Sequence, residues 1–187
     1  LALRLYDRSQ HSALTYLYGQ DAGVHVGLYQ MLNLTLLGYV EEGRAQIDAT
    51  IALAGEIGHP FTLAFAWSFV AVAKALALDI AGVEHAAAQA LGVAQAHAFP
   101  TWTAVGLLMR GYARGMKGDP VGGFEDAILG LETAIPTGAQ ALLPLFLGLT
   151  AELRSALGNP GEVLSILDIA LTVAEENNER LSIADLH

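Results

Sequence analysis

The sequence matches itself at a spacing of forty residues, and that spacing limits the folds open to it. In rows beginning at Gln20, Pro60, Pro100, Gln140 and Arg180, chemically alike residues fall into columns. Ile51, Leu91, Leu131 and Leu171 form an aliphatic column, and Ala54, Ala94, Ala134 and Ala174 an identical one. Thr50, Ala90, Gly130 and Ala170 are all small; Ile47, Ala87, Ala127 and Leu167 are all apolar. Within one row these positions are spaced i, i+3, i+4 and i+7, the stripe an α-helix turns toward its neighbours. Earlier in each row, Met31, Ala71, Gly111 and Ala151, with Thr35, Ala75, Gly115 and Ser155, give mostly small columns. Small residues there let two helix backbones approach closely.

The breaks keep the same register. Gly38, Gly118 and Gly158 share a column, with Leu78 in the second row, and Asp79, Asp119 and Asn159 follow. Gly-Asp-Pro and Gly-Asn-Pro read as a left-handed helix end, the cap of the next helix, and Pro in its first turn. The outer boundaries are Gly58-His59-Pro60, Phe99-Pro100 and Pro136-Thr137-Gly138. Each row is therefore a helical hairpin, over 20–59, 60–99, 100–139 and 140–179. First helices are predicted near 22–37, 61–77, 101–117 and 140–157, and second helices near 41–57, 81–97, 121–135 and 161–177. A leading helix over 2–18 lies outside the pattern. Residues 180–187 read as a truncated fifth hairpin. With Leu1 rather than Met at the start, the sequence reads as a fragment. The expectation is an all-α chain of one domain, a solenoid of antiparallel hairpins in which stacking completes a core that no hairpin makes alone.

Composition narrows the function classes. Nine Lys and Arg stand against nineteen Asp and Glu, a net charge of −10. General nucleic-acid binding needs cations to neutralise phosphates, so that class is disfavoured. There is no cysteine, which removes disulfide scaffolds, thiol catalysis and thiolate metal sites. The N-terminus has no secretory signal pattern. The longest apolar stretch, 61–73, ends at Lys74, short of the roughly 18–20 residues a membrane span needs. A cytoplasmic location and no membrane partner are expected.

The residues Gly38-Tyr39-Val40-Glu41-Glu42-Gly43 with Ile47 and Thr50 resemble the tetratricopeptide (TPR) repeat. So do Gly118-Asp119-Pro120 with Gly123, Ala127 and Gly130, and Gly158-Asn159-Pro160 with Val163, Leu167 and Ala170. Trp67, Val70 and Ala71 resemble that repeat's opening signature, with Lys74 in place of its aromatic. The period here is longer than that family's roughly 34 residues, so the hairpins should be longer too. The resemblance implies a TPR-like right-handed solenoid. A narrower likeness runs through Tyr6-Asp7, His11, Tyr18-Gly19-Gln20-Asp21, Leu37-Gly38-Tyr39 and Ile57-Gly58-His59-Pro60-Phe61. These are similar to a TPR-rich region of large bacterial signalling proteins, which join a cyclase-type or DNA-binding regulatory domain to an AAA-like or STAND-type ATPase. That resemblance implies a regulatory role, without implying that this segment cyclises or hydrolyses nucleotide. His11 and Asp21, as part of that motif, either hold the leading helix to the first hairpin or touch a ligand; the first is favoured.

Catalytic patterns are missing. There is no G-x-x-x-x-G-K-[ST], H-E-x-x-H or G-x-S-x-G. No two of the six histidines stand at i+3 or i+4, the spacing that presents a pair to one metal from a helix. The acidic pairs Glu41-Glu42 and Glu125-Asp126 sit near the start of second helices, where negative charge complements the helix dipole. No enzyme activity, cofactor or metal is expected.

Charge layout is the informative surface feature. Lys74, Arg110, Arg114, Lys117 and Arg154 lie toward the ends of first helices, and Lys74, Arg114 and Arg154 share one column. Acidic residues concentrate on second helices and turns. Because first helices line the concave groove of TPR-like stacks, the resemblance puts a basic stripe in or beside that groove. Two readings stand. The cations stabilise helix ends and pair with acidic neighbours, or they clamp an anionic partner through the planar Arg fork. Phe65 and Phe69 read as core, and Trp102 as facing either way.

The leading expectation is a non-catalytic module for protein–protein interaction and regulation within a bacterial signalling or transcription-regulatory protein. Its candidate partner-binding residues are Lys74, Arg110, Arg114, Arg154, Trp67 and Trp102. The partner is a protein or peptide segment of acidic character, or another domain of the parent chain; a homodimer through exposed solenoid ends is a further expectation. The alternative is a sensor that binds a small anionic or apolar effector in the concave groove.

Overall fold

The computed structural model describes residues 2–140 and 142–179, and every element among them is helical. After a short N-terminal segment come the long helices α1 (Ala22–Leu36), α2 (Val40–Ile57), α3 (Pro60–Leu76) and α4 (Ile80–Ala96). They are followed by α5 (Pro100–Met116), α6 (Pro120–Ala134), α7 (Leu143–Ala156) and α8 (Pro160–Glu176). These bounds fall within a few residues of those predicted, because the punctuation chemistry is local. Asp21, Asp79, Asp119 and Asn159 each accept a hydrogen bond from the backbone N–H three residues on. Such caps satisfy donors that the first turn leaves unpaired. Pro60, Pro100, Pro120 and Pro160 occupy the first helical position, where the missing N–H costs nothing.

Helices pack as consecutive antiparallel pairs, α1 with α2, α3 with α4, α5 with α6 and α7 with α8. Between pairs, first helices touch one another: α1 packs on α3, α3 on α5 and α5 on α7. Second helices instead pack on the first helix that follows, α4 against α5 most extensively. The core runs through α3, where residues 64–66 and 68–73 are all buried. A helix apolar on all sides must be surrounded, and here other helices surround it. The long apolar run of the sequence is thus a core helix; no helix among the described residues is long and apolar enough to cross a membrane. Between α5 and α6 the backbones nearly touch. A Cβ built on Gly111 would lie 2.5 Å from the Gly123 carbonyl oxygen, and one on Gly123 2.6 Å from that of Gly111.

Three expectations need correction or fall outside. The leading helix over 2–18 is not continuous. It divides into helical turns at Ala2–Leu5, Arg8–His11, Ser12–Leu14 and Thr15–Tyr18. Asp7 accounts for the first break: its carboxylate accepts from Ser9 N at 2.9 Å, Ser9 Oγ at 2.6 Å and Gln10 Nε2 at 2.7 Å. Its own N–H donates to His11 Nδ1 at 2.8 Å. Such local bonds offer the backbone an alternative to continued helix. Helix α7 begins at Leu143 rather than near 140, after a 3₁₀ turn at Ile135–Thr137 and a left-handed Leu142 (φ 63°). The expected fifth hairpin, 180–187, lies outside the described residues.

Candidate functional site: an aromatic cavity on the first helices

The side chains that first helices turn toward one another are aromatic at the start of the stack. His25 and Tyr29 are one turn apart on α1, and Phe61, Phe65 and Phe69 are successive turns of one α3 face. Trp102 stands in the first turn of α5. The rings form one connected cluster. Phe65 meets His25 at 5.6 Å, Phe69 at 4.7 Å and Trp102 at 5.1 Å between ring centroids. Tyr29 meets Phe69 at 5.7 Å, and Phe61 meets Trp102 at 5.6 Å edge to face. Such tilted and T-shaped pairs each contribute about 0.5–1.5 kcal/mol beyond area burial.

The cluster does not fill the space it encloses. A cavity of about 240 Å³ lies between His25, Tyr29, Phe65, Phe69 and Trp102 on one side and Leu142, Leu143 and Phe146 of the α7 start on the other. Ala134 and Ala139, flanking the turn between α6 and α7, close it further. The wall is mostly hydrocarbon, with Gln20, Tyr29 and Thr101 among its polar residues. Trp102 Nε1 and His25 Nδ1 are buried, and neither has a hydrogen-bond partner among the described residues. Burial holds the His25 pKa below its ordinary 6.5, so the ring is neutral at pH 7. A buried donor or acceptor left unmatched costs about 1–3 kcal/mol, so these two atoms carry a substantial penalty.

The predicted cations lie elsewhere. Lys74 donates to Asp79 at 2.8 Å. Arg110 grips Asp126 with two bonds of 2.9 and 2.7 Å. Arg114 bonds Asp119 at 2.6 Å and lies 3.7 Å from Asp126. Arg154 bonds Glu162 at 2.6 Å, with its guanidinium carbon 5.2 Å from the Phe124 ring centroid. The column Lys74, Arg114 and Arg154 thus clasps the end of each first helix to the cap or first turn of its own second helix. Lys117 reaches back to Glu84 of the preceding hairpin at 2.8 Å. None of these cations lines the aromatic cavity among the described residues. Trp67 stands apart, edge-on to His85 of α4 at 5.6 Å. Of the six residues predicted for partner binding, Trp102 alone lines the cavity.

Asp21 ties down the N-terminal segment, while the contacts of His11 stay within that segment. The Asp21 carboxylate, 1% exposed, accepts from Tyr6 Oη at 2.9 Å, Thr15 Oγ1 at 3.3 Å and Val24 N at 3.0 Å. Burial and the bond to Asp21 push the Tyr6 hydroxyl up to about 12. The Asp21 N–H donates to Thr62 Oγ1 at 3.2 Å, joining the segment to α3. His11 Nδ1 is occupied by the Asp7 N–H. No cluster of three or more metal-ligating side chains occurs among the described residues.

Sequence reasoning misses His25, Tyr29 and Phe146 as site residues. The repeat carries a signal for the first two. His25, Phe65 and Val105 share one column and Tyr29 and Phe69 another, and all five line the cavity. Identical register on successive first helices brings a column to one wall.

No family model matches the chain. It is 27% identical over 187 residues to an uncharacterised protein of Rhizobium meliloti (strain 1021), an alignment that takes in 99% of this chain. The chain spans 18% of that protein's length.

Proposed function

We propose that this chain is a non-catalytic, TPR-like right-handed solenoid with a forty-residue repeat, serving regulation inside a longer bacterial signalling protein. In this reading it senses by binding, and a small effector occupies the groove lined by its first helices. The observation that carries the reading is the cavity walled by His25, Tyr29, Phe65, Phe69 and Trp102. A cluster spread over three first helices makes occupancy sensitive to how the hairpins sit on each other. A ligand there would couple to the curvature of the stack, which is what a sensor needs. The basic column gives less support to an anionic ligand, since its members already hold carboxylates.

Recognition of a protein segment, or of another domain of the parent, is the second reading. A larger cavity of about 520 Å³ bordered by α3, α5, α7 and α8 favours it, with Tyr112, Leu145, Leu149 and Glu152 in its wall. Burial and the Glu152 charge push the Tyr112 hydroxyl up to about 12, so it is a hydrogen-bond donor at pH 7.

A thermal-shift screen separates the two. Ligands that bind only the folded state raise Tm with concentration. Small apolar ring compounds are expected to raise it and charged metabolites to leave it unchanged. No rise with any small molecule would contradict the effector reading, and a rise with anionic metabolites alone would move the site out of the aromatic cavity.

A further inference from the structure

The larger cavity offers a different chemistry from the aromatic one. It runs from Leu76 and Leu78 at the end of α3, past Tyr112 of α5, to Leu145 and Leu149 of α7 and Val163 and Leu167 of α8. Apart from Tyr112 this hydrocarbon is aliphatic, and it rewards apolar area removed from water rather than a flat shape. The polar groups in the wall are the Tyr112 hydroxyl, Ser155 and the Glu152 carboxylate, and Glu152 carries its only charge among the described residues. Glu152 is an exception in the repeat. Leu32, Val72, Tyr112 and Glu152 share one column; the first three are 5%, 1% and 2% exposed, whereas Glu152 is exposed. Its carboxylate accepts from the Tyr112 hydroxyl. Lys74, Arg110, Arg114, Lys117 and Arg154 hold other carboxylates, and Glu152 pairs with none of them. A carboxylate has about four lone-pair sites, so one hydroxyl leaves it able to accept further donors. A neutral chain laid along this wall would take water from the carboxylate and return nothing, and an anionic one would be repelled. A cation on the chain turns the same carboxylate into a partner.

We infer that this cavity binds an amphiphilic cation, a primary ammonium on an aliphatic chain longer than that of lysine, with the chain against Leu76, Leu145, Leu149 and Leu167 and the ammonium on the Glu152 carboxylate. The inference goes beyond the effector reading: it concerns a second cavity and stands whether or not the aromatic one is filled. It competes with the protein-segment reading of this cavity, since a partner's lysine presents the same ammonium on a shorter chain. Room decides for the longer chain. About 520 Å³ is roughly three times the volume that takes up benzene, so a lysine-length chain leaves hydrocarbon wall uncovered. Both parts of the ligand are needed. A polar metabolite cation has no hydrocarbon to bury here and gains only an exposed ion pair, which is worth little alone. The net charge of −10 draws cations toward the whole surface, and the aliphatic wall selects among them.

Hexylammonium, 1-hexanol and hexanoate are matched probes, alike in chain and differing in the charge of the head; the amine is protonated at pH 7. Affinity is read from the methyl signals of Leu149 and Val163 in ¹H–¹³C spectra, with Val105 reporting the aromatic cavity separately. Hexylammonium is expected to bind at Leu149 and Val163 about fivefold more tightly than hexanol, and hexanoate more weakly than either. The preference for the ammonium should shrink as salt is raised. Glu152→Gln keeps an acceptor for the Tyr112 hydroxyl and removes the charge, so it should bind hexylammonium and hexanol alike and leave hexanol affinity unchanged. Should that variant not fold, the comparison of the three heads in the unaltered protein still decides. From butyl- through hexyl- to octylammonium, affinity should rise about fourfold per methylene. Equal affinity for hexylammonium and hexanol, or tighter binding of hexanoate, would overturn cation recognition by Glu152. A gain that stops at butylammonium would overturn the long-chain ligand and favour a partner's lysine, the protein-segment reading. Hexylammonium shifts at Val105 without any at Leu149 and Val163 would overturn the larger cavity as the site. None of these outcomes touches the effector reading, which the thermal-shift screen tests on ring compounds.

Discussion

At the residue scale, Leu78 shows how far the repeat constrains one position. Gly38, Gly118 and Gly158 end their helices at φ between 78° and 102°, and Leu78 takes the same place at 56°. That conformation costs an L-residue about 1–2 kcal/mol, and Leu78 is 72% exposed, so packing offsets little of it. Leu78→Gly is expected to stabilise the fold by about 1 kcal/mol, raising Tm by about 2–4 °C. Asp79, the next residue, gives a pH prediction. The Lys74 hydrogen bond, with that of the Gly82 N–H, holds its carboxyl below the ordinary 3.8. A depressed folded pKa means the bonds contribute fully above 3.8 and are lost as pH falls through the lower folded value. Asp79→Asn should therefore flatten the acid limb of the stability curve below about pH 4 and change little of its shape at neutral pH. Urea denaturation between about pH 2 and 7 measures this. The caps are legible in the sequence because they depend on neighbours three residues away. The Arg110–Asp126 pair is not, since the two come together only when α5 packs on α6.

At the element scale, spacing tells the helices but not every interruption. The predicted bounds of α1 to α6 and α8 hold because apolar stripes, caps and first-turn prolines all agree. The N-terminal segment misleads because Ala2 to Tyr18 carries helix-forming residues on both sides of Asp7, whose side chain closes a tight local set of bonds instead. The small columns find their reason in the α5–α6 contact. Gly123→Ala would press a methyl group onto the Gly111 carbonyl and the Gly115 backbone, all rigid helix atoms. Overpacking of this kind costs typically about 1–3 kcal/mol, and the absence of any yielding side chain puts this case at the upper end. Chemical denaturation of the variant should show a lowered midpoint with an unchanged slope. Gly92→Ala is the control, since a Cβ there meets nothing within 4 Å. In mid-helix it should stabilise by about 0.5–1 kcal/mol.

At the scale of the whole molecule, the helical architecture is legible in the sequence and the site largely is not. Periodicity reports which residues share a helix face, and so gives the hairpins. It does not report how far a space between four hairpins is filled. Phe65 and Phe69 read as core, and both are buried, yet both also border open volume. The basic stripe is legible as a column, but its role turns on partners from the second helices. If the aromatic cavity is the binding site, filling it must abolish binding, and Val105→Phe fills it. Val105 lines the cavity and shares its column with Phe65, so the repeat already accommodates a phenylalanine at that register. Tm is measured for both proteins with and without the ring compounds of the thermal-shift screen. The variant is expected to keep its helical circular dichroism and unliganded Tm but to lose the rise those compounds induce. A rise of the same size in the variant would place the ligand elsewhere and refute the cavity as its site.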